Sequence, residues 1–219
     1  MADFQEFNRV VYGLVDDRLF SLWDLAAQQQ RFTMRALKGI RKGDKERIIL
    51  NLMIAFSFLN ALSRRIHINI EEEVWKRFPA VCSYCGKAPC VCKKTKRTKR
   101  LKVRANGALR PESMADFQAM FKKIYPPESR TLDHAGVHLA EEIGEVGEAI
   151  HNFLGQHKAK QFDDIRFEIA DYVSCLFGVA NSLNVNLAER LALLFKNNCH
   201  VCHKAPCSCT FTTISQAST

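Results

Sequence analysis

Four acidic side chains in the C-terminal half of the chain have the types and spacing of a metal site. Glu142 and Glu145 are three residues apart, as are Glu168 and Asp171. Residues three apart share one face of a helix, where like charges repel unless a cation lies between them. The second pair falls in an apolar stretch that predicts a buried helix, where an unpartnered carboxylate is costly. The pattern therefore predicts a divalent metal, and all-oxygen ligation favours Mg²⁺ or Mn²⁺. A solvated, Glu-rich helix face is the alternative.

Eight of the nine cysteines form two clusters with the same spacing, C-x2-C-x4-C-x-C. The clusters are Cys82, Cys85, Cys90 and Cys92, and Cys199, Cys202, Cys207 and Cys209. Four thiolates on a short loop suit tetrahedral Zn²⁺, so this spacing predicts two structural zinc sites. A redox role for the CxxC pairs is the alternative. The ninth cysteine, Cys175, lies in an apolar stretch and is predicted to be a core residue.

The chain contains an internal duplication. The sequence MADFQ at residues 1–5 recurs at 114–118, an offset of 113, and the first cysteine cluster recurs at an offset of 117. The second copy is therefore longer by about four residues. The repeat predicts four segments: a first copy at 1–92, a linker at 93–113, a second copy at 114–209 and a tail at 210–219.

Apolar residues at steps of three and four predict helices in both copies. The predicted helices are 4–15, 19–40 and 47–66, and 117–125, 132–154 and 162–183. Asn69 and Asn186 are predicted N-caps of a short helix before each cysteine cluster. Gly39 and Gly155 are predicted helix ends. Strand-like alternation is scarce, so we expect an all-α fold in which two tandem units pack as a pseudo-dimeric bundle, each with a small zinc-binding loop at its C-terminal end.

The acidic pattern, Glu141-Glu142-x-x-Glu145 followed by Glu168-x-x-Asp171, resembles the MazG family of all-α nucleotide pyrophosphohydrolases. The resemblance covers about residues 114–198 and, through the repeat, more weakly 1–80. It implies that the chain cleaves an NTP or dNTP between the α and β phosphates. By position it implies Mg²⁺ ligands at Glu142, Glu145, Glu168 and Asp171, and it implies that one of these, or the neighbouring Glu141 or Glu148, orients or deprotonates the attacking water.

The first copy has lost this pattern. Aligning residues 25–26 with 139–140, and using the offset of 117 further on, matches the acids with non-acidic residues. The aligned residues of the first copy are Ala27 for Glu141, Gln28 for Glu142, Arg31 for Glu145, Asn51 for Glu168 and Ile54 for Asp171. One active centre per chain is therefore expected, with the first copy as a scaffold. Members of the family work as dimers or higher oligomers, so the pseudo-dimer could also pair further.

Positively charged residues near the predicted site are candidate phosphate ligands. They are Arg31 in the first copy and Lys158, Lys160 and Arg166 in the second. The alternative is that they face solvent. The pocket that recognises the base is harder to assign, and its candidates are Phe117, Phe121, Tyr125 and His138.

The net charge of +9 is concentrated in the linker. Nine Lys and Arg residues and no acid lie in 93–110, whereas the rest of the chain has 23 basic and 23 acidic residues. Such a segment is predicted to be extended or disordered, and it could bind a nucleic-acid backbone, bind an acidic protein, or only connect the copies. The competing function is therefore a zinc-stapled adaptor or nucleic-acid-binding protein with little or no catalysis.

The sequence has no apolar run of the ~20 residues that a membrane span needs. Its first residues lack the basic and apolar regions of a secretory signal. Together with 47% hydrophobic and 25% charged residues, these features predict a soluble cytoplasmic protein without a membrane partner.

Overall fold

The computed structural model of the chain describes residues 1–96, 99–101 and 103–216, with side chains described up to 213. All regular secondary structure in these residues is helical, which confirms the predicted all-α class. The first copy forms α1 (Ala2–Leu19), α2 (Leu22–Lys42), α3 (Lys45–Arg65) and α4 (Ile70–Arg77), followed by the short α5 (Cys92–Thr95). The second forms α6 (Met114–Ile124), α7 (Leu132–Gln156), α8 (Ala159–Ser182) and α9 (Leu187–Leu194), followed by α10 (Phe211–Gln216).

Local capping explains where several of these helices begin. The Ser21 and Ser113 side chains each form a capping box with an aspartate three residues later, at the starts of α2 and α6. The Asn69 and Asn186 side chains accept from backbone N–H groups at the starts of α4 and α9, which confirms the N-caps predicted there.

The two helix ends predicted at glycines were wrong. Helix α2 continues through Gly39 and ends at Gly43, whose φ of 66° is the left-handed conformation that glycine adopts readily. A Cβ at Gly39 would lie 2.8 Å from the Ile48 side chain, so this glycine permits the close packing of α2 on α3. Helix α7 likewise passes Gly155 and ends at His157, with φ of 53°.

Two long helical hairpins form the centre of the molecule. Helices α2 and α3 pack along each other, as do α7 and α8, and α2 also contacts α7. At that contact a Cβ on Gly136 would lie 2.8 Å from Ile40, so the glycine lets the two hairpins approach closely. Helices α3 and α8 contribute the largest sets of buried residues, because each is covered by helices from both copies.

The ends of the two copies cross over each other. Helix α4 of the first copy packs on α8 of the second, and α9 of the second packs on α3 of the first. The two cysteine loops also contact the opposite copy. The Cys90 backbone N–H donates to the Ile124 carbonyl oxygen on α6 at 2.8 Å, and the Cys207 N–H donates to the Val11 carbonyl oxygen on α1 at 2.7 Å. Each cysteine loop therefore contacts the first helix of the opposite copy.

The linker is mostly without regular structure where it is described. Its described residues contain α5 and a 3-10 turn at Gly107–Leu109. Its far end is attached to α4, because Arg110 forms ion pairs with Glu71 and Glu72.

One helix, α3, is long and apolar enough to cross a membrane by length and composition, which was not expected from the sequence. However, 72% of its apolar window is buried inside the protein. This is the pattern of a core helix, and it is consistent with a soluble protein.

Candidate functional site

Three of the predicted metal ligands converge between α7 and α8. Glu142 and Glu145 extend from α7, and Glu168 extends from the neighbouring α8. One carboxylate oxygen from each lies within 4.8 Å of the others, close enough for a single cation to contact all three. The packing of α7 along α8 creates this arrangement, because the three residues lie on the facing sides of the two helices.

Without a bound cation, burial of these carboxylates in their charged form costs folding free energy. An oxygen of Glu142 and an oxygen of Glu168 are both buried and lack a hydrogen-bond partner. Burial, followed by the charges of Asp171 and Glu145, raises the pKa of Glu142 to about 8. Burial and the charge of Asp171 likewise raise the pKa of Glu168 to about 7. Each carboxylate therefore needs either a proton or a nearby positive charge.

Asp171, the fourth predicted ligand, is held by two arginines beside the cluster. Arg77 donates to its two oxygens from Nε at 3.0 Å and from Nη2 at 2.5 Å. Arg100 donates to it from Nη2 at 2.8 Å. Both arginines precede the second copy, one on α4 and the other in the linker. Sequence reasoning missed them, because no local pattern relates them to an aspartate 94 or 71 residues away.

Glu141 does not join the three converging glutamates. Its side chain is 56% exposed, and the ring Nδ1 of His138 lies 3.0 Å from its carboxylate. A role for Glu141 with the attacking water is therefore not indicated by a contact to the cluster, and it stays a prediction.

A cavity of about 760 Å³ opens beside the acids. Its lining includes the acids Glu142, Glu145 and Asp171. It also includes four positively charged side chains, namely Lys93, Lys94, Arg100 and Arg130. The Arg130 guanidinium fills the space over Gly178, where a Cβ would collide with it. Tyr84 and Tyr125 add aromatic surface, and Arg100 lies 4.1 Å from the centre of the Tyr84 ring.

The predicted phosphate ligands lie elsewhere. The residues that line this cavity, in the described part of the chain, do not include Arg31, Lys158, Lys160 or Arg166. Arg31 donates to Gln28 on its own helix at 3.1 Å, and Arg166 pairs with Asp163 on α8 at 2.8 Å. Lys158 and Lys160 are exposed around the start of α8. Of the suggested base-pocket residues, Tyr125 and His138 line the cavity, whereas Phe117 and Phe121 are buried in the core.

The cysteines form two tetrads that could bind zinc. In each cluster the four sulfur atoms lie within 4.8 Å of one another, and all nine cysteines are free thiols. Three cysteines of the first tetrad, Cys82, Cys90 and Cys92, also line the 760 Å³ cavity. Cys175 lines it too, and burial raises the pKa of this thiol far above its usual value.

The second tetrad lies beside a much smaller cavity of about 50 Å³. This cavity is lined by residues at positions that match the large one, such as Tyr12 for Tyr125 and Ser57 for Ser174. In place of acids, Ile54 packs with Phe32 and Phe58. Among the residues that the structure describes, Asp16 is the one carboxylate in its lining.

The fold and the site therefore define an all-helical protein with two cysteine tetrads and a glutamate cluster beside one large, partly cationic cavity. No family model, curated protein or solved structure matches this chain.

Proposed function

We propose that this chain is a Mg²⁺-dependent nucleoside triphosphate pyrophosphohydrolase with one active centre, which cleaves an NTP or dNTP to the monophosphate and pyrophosphate. The observation that carries the proposal is the convergence of three carboxylates, two of them with buried unpartnered oxygens, beside a cavity whose lining contains both acidic and positively charged side chains. A metal-bound triphosphate needs both kinds of side chain, because carboxylates bind its metal cations and positively charged groups bind its anionic phosphates.

The donor set fits Mg²⁺ or Mn²⁺. Glu142, Glu145 and Glu168 would hold the ion through oxygen atoms only, with Asp171 close by, and hard divalent cations prefer such ligands. Bound there, the metal supplies charge neutralisation and a lower pKa for coordinated water. The orphaned oxygens of Glu142 and Glu168 are the atoms that a cation would satisfy.

Other residues of the same lining suit the phosphates and the base. Arg130, Lys93 and Lys94 present positive charge within the same cavity as the acids. Tyr84 and Tyr125 offer rings against which a planar base can stack. In the reaction, water adds to the α phosphorus and the bond to the bridging oxygen breaks. Pyrophosphate leaves with that oxygen, and a carboxylate of the cluster accepts the proton of the water.

The two tandem units correspond, in this proposal, to the two subunits of a MazG-like dimer joined in one chain. The crossed contacts of α4 with α8 and of α9 with α3 support it. So do the matched hydrogen bonds from Cys90 to α6 and from Cys207 to α1. The first copy then contributes Arg77 to the site of the second, and the two zinc ions hold the crossed loops in place.

Release of pyrophosphate from a panel of NTPs and dNTPs, with and without Mg²⁺, tests the proposal. We expect turnover that requires Mg²⁺, and a loss of roughly 100-fold in kcat/KM for Glu145→Gln and Glu168→Gln, because each removes a carboxylate ligand. Asp164→Asn is the matched control, since it removes the same charge from α8 one turn before Glu168 and outside the cluster.

Two results would reject the enzyme. One is a wild-type protein that releases no pyrophosphate from any substrate, which would favour the adaptor or nucleic-acid-binding alternative. The other is turnover in Glu168→Gln equal to that of Asp164→Asn. Binding of Mn²⁺, followed by its electron paramagnetic resonance signal, provides a readout of the metal site that does not depend on knowing the correct nucleotide.

A further inference from the structure

The basic linker lies along the large cavity instead of extending into solvent throughout. Lys93, Lys94 and Arg100 are all part of the cavity lining. Lys93 Nζ donates to the Ser129 carbonyl oxygen at 2.9 Å, which attaches the start of the linker to the second copy. Arg110, at its end, pairs with acids on α4. The linker is therefore attached at both ends and passes the cavity between them.

Contacts with the first cysteine loop hold the middle of the linker. Arg100 donates to the Ser83 hydroxyl at 2.7 Å and lies over the Tyr84 ring. Leu101 and Val103 approach Gly86 so closely that a Cβ there would lie 3.3 Å and 3.6 Å from their side chains. These contacts direct the Arg100 guanidinium toward the acids and leave the other face of the linker exposed.

The two arginines on Asp171 differ in how firmly they are held. Arg77 lies on α4, is 11% exposed, and donates to both Asp171 oxygens. Arg100 is 32% exposed, lies in the irregular linker, and donates to one of them. A bidentate, buried arginine satisfies a carboxylate by itself. Arg100 is thus the cation that can leave Asp171 at the smaller cost.

In the second copy, too, the segment that follows the cysteine tetrad contacts a residue that lines a cavity. The tail that follows the second tetrad places Phe211 against Phe20, with ring centroids 5.6 Å apart. Phe20 lines the small cavity. The linker thus places cations in the lining of the large cavity, whereas the tail places Phe211 against one residue that lines the small cavity.

We propose that the described part of the linker, residues 93–96, 99–101 and 103–110, forms a phosphate-binding strap, in which Arg100 exchanges Asp171 for the phosphate oxygens of a bound polyphosphate and Lys93 and Lys94 bind the same phosphates. The identification of that ligand as a nucleoside triphosphate rests on the proposed function, whereas binding of the polyphosphate does not require turnover. In this proposal the charges of Lys93, Lys94 and Arg100 serve the cavity, and we expect a polyphosphate instead of a nucleic-acid backbone as their ligand.

Protection of the linker from trypsin tests the strap without any need for catalysis. Inorganic tripolyphosphate with Mg²⁺ should slow cleavage after Lys99 at least fivefold in the wild type, because the strap is then held across the ligand. Arg100→Gln should abolish this protection. Arg104→Gln, which removes an exposed linker charge outside the cavity lining, should retain it.

Steady-state kinetics on the same variants give a second readout. We expect KM for the best nucleotide to rise roughly tenfold in Arg100→Gln, as for loss of one charge-assisted hydrogen bond, with partial recovery in Arg100→Lys and a change within twofold in Arg104→Gln. Equal protection and equal KM for Arg100→Gln and Arg104→Gln would overturn the strap while leaving the enzyme intact.

The other outcomes separate the strap from the enzyme. Protection that depends on Arg100 in a protein without turnover would support the strap and reject the proposed function. Salt-sensitive binding of DNA or RNA that weakens equally in Arg100→Gln and Arg104→Gln, without protection by tripolyphosphate, would reject the strap in favour of a nucleic-acid ligand.

Discussion

Two cavities in the described part of the chain occupy matching positions in the two copies, yet one measures about 760 Å³ and the other about 50 Å³. Each lies beside a cysteine tetrad and includes a tyrosine from the opposite copy, namely Tyr125 directly after α6 in the large cavity and Tyr12 on α1 in the small one. The two copies share the same order of helices and matching helix contacts. The difference in cavity volume therefore comes from the side chains that line the two cavities.

One pair of matched contacts shows how the difference arises. Asp171 on α8, which lines the large cavity, pairs with Arg77 on α4. The offset of 117 matches these residues with Leu194 on α9 and Ile54 on α3, and there Leu194 packs against the apolar cluster of Ile54. In that cluster the rings of Phe32 and Phe58, which line the small cavity, stack with their centroids 5.6 Å apart. One scaffold thus supports an open site and a closed core.

Substitution of one predicted zinc ligand in each tetrad should give the largest difference in activity between the two copies. Cys82→Ser and Cys199→Ser alter matching cysteines, and each should release one zinc per chain and lower the unfolding midpoint by roughly 10 °C. Only Cys82→Ser should abolish pyrophosphate release, because its loop lines the large cavity. Cys199→Ser should retain turnover per folded molecule within about threefold.

Zinc content, thermal unfolding and turnover of the two variants, measured below both midpoints, decide this comparison. Equal losses of turnover would mean that the tetrads are equivalent and that the first has no special relation to the site. A folded Cys82→Ser protein with full activity would have the same meaning.

Converting the ion pair to its apolar counterpart should have the next largest effect. Arg77→Leu alone leaves Asp171 without its firmest partner and should cost about 3–5 kcal/mol of unfolding free energy. The double variant Arg77→Leu/Asp171→Ile reproduces the matched apolar pair, so its stability should return to within about 1 kcal/mol of the wild type. Urea unfolding of the two single variants and the double variant measures the coupling.

Activity should not return with stability in that double variant, because the carboxylate of Asp171 is missing from the cavity beside the glutamate cluster. If the double variant were as unstable as Arg77→Leu, the apolar pair would not replace the ion pair. The two contacts would then not be structurally equivalent in the two copies.

A smaller effect is expected in the closed cavity. Burial, opposed by the charge of Arg64, raises the pKa of Asp16 to about 7. The folded state therefore holds a proton that the unfolded state has released between about pH 4 and pH 7, so the contribution of Asp16 to stability falls as pH rises through this window. Asp16→Asn should be the more stable protein at pH 8, by about 1–3 kcal/mol, and the advantage should shrink toward pH 4.

Unfolding free energies at several pH values test this, with Asp17→Asn as the control. Asp17 is 52% exposed and its pKa is lowered by hydrogen bonding to Arg64, so its removal should not stabilise the protein at pH 8. A constant difference between Asp16→Asn and the wild type across this range would mean that Asp16 is not protonated in the folded state.

Much of the fold could be predicted from local patterns. Apolar periodicity identified all six long helices, and the N-caps at Asn69 and Asn186 were confirmed, because both features depend on residues within a turn or two of one another. Gly39 was misread as a helix end because its function is tertiary. It accommodates Ile48 of the next helix, and nothing in its local sequence distinguishes the two uses.

Residue identity and spacing were enough to predict the repeat, the all-helical class, the two cysteine tetrads and the acids on the second copy. Tertiary structure decided which three glutamates converge, and it brought Arg77 and Arg100 to Asp171. It also decided that the basic linker borders the same cavity as the acids. The physical reason is that these contacts join residues far apart in the chain, through the crossing of one copy over the other, and local periodicity carries no information on such a crossing.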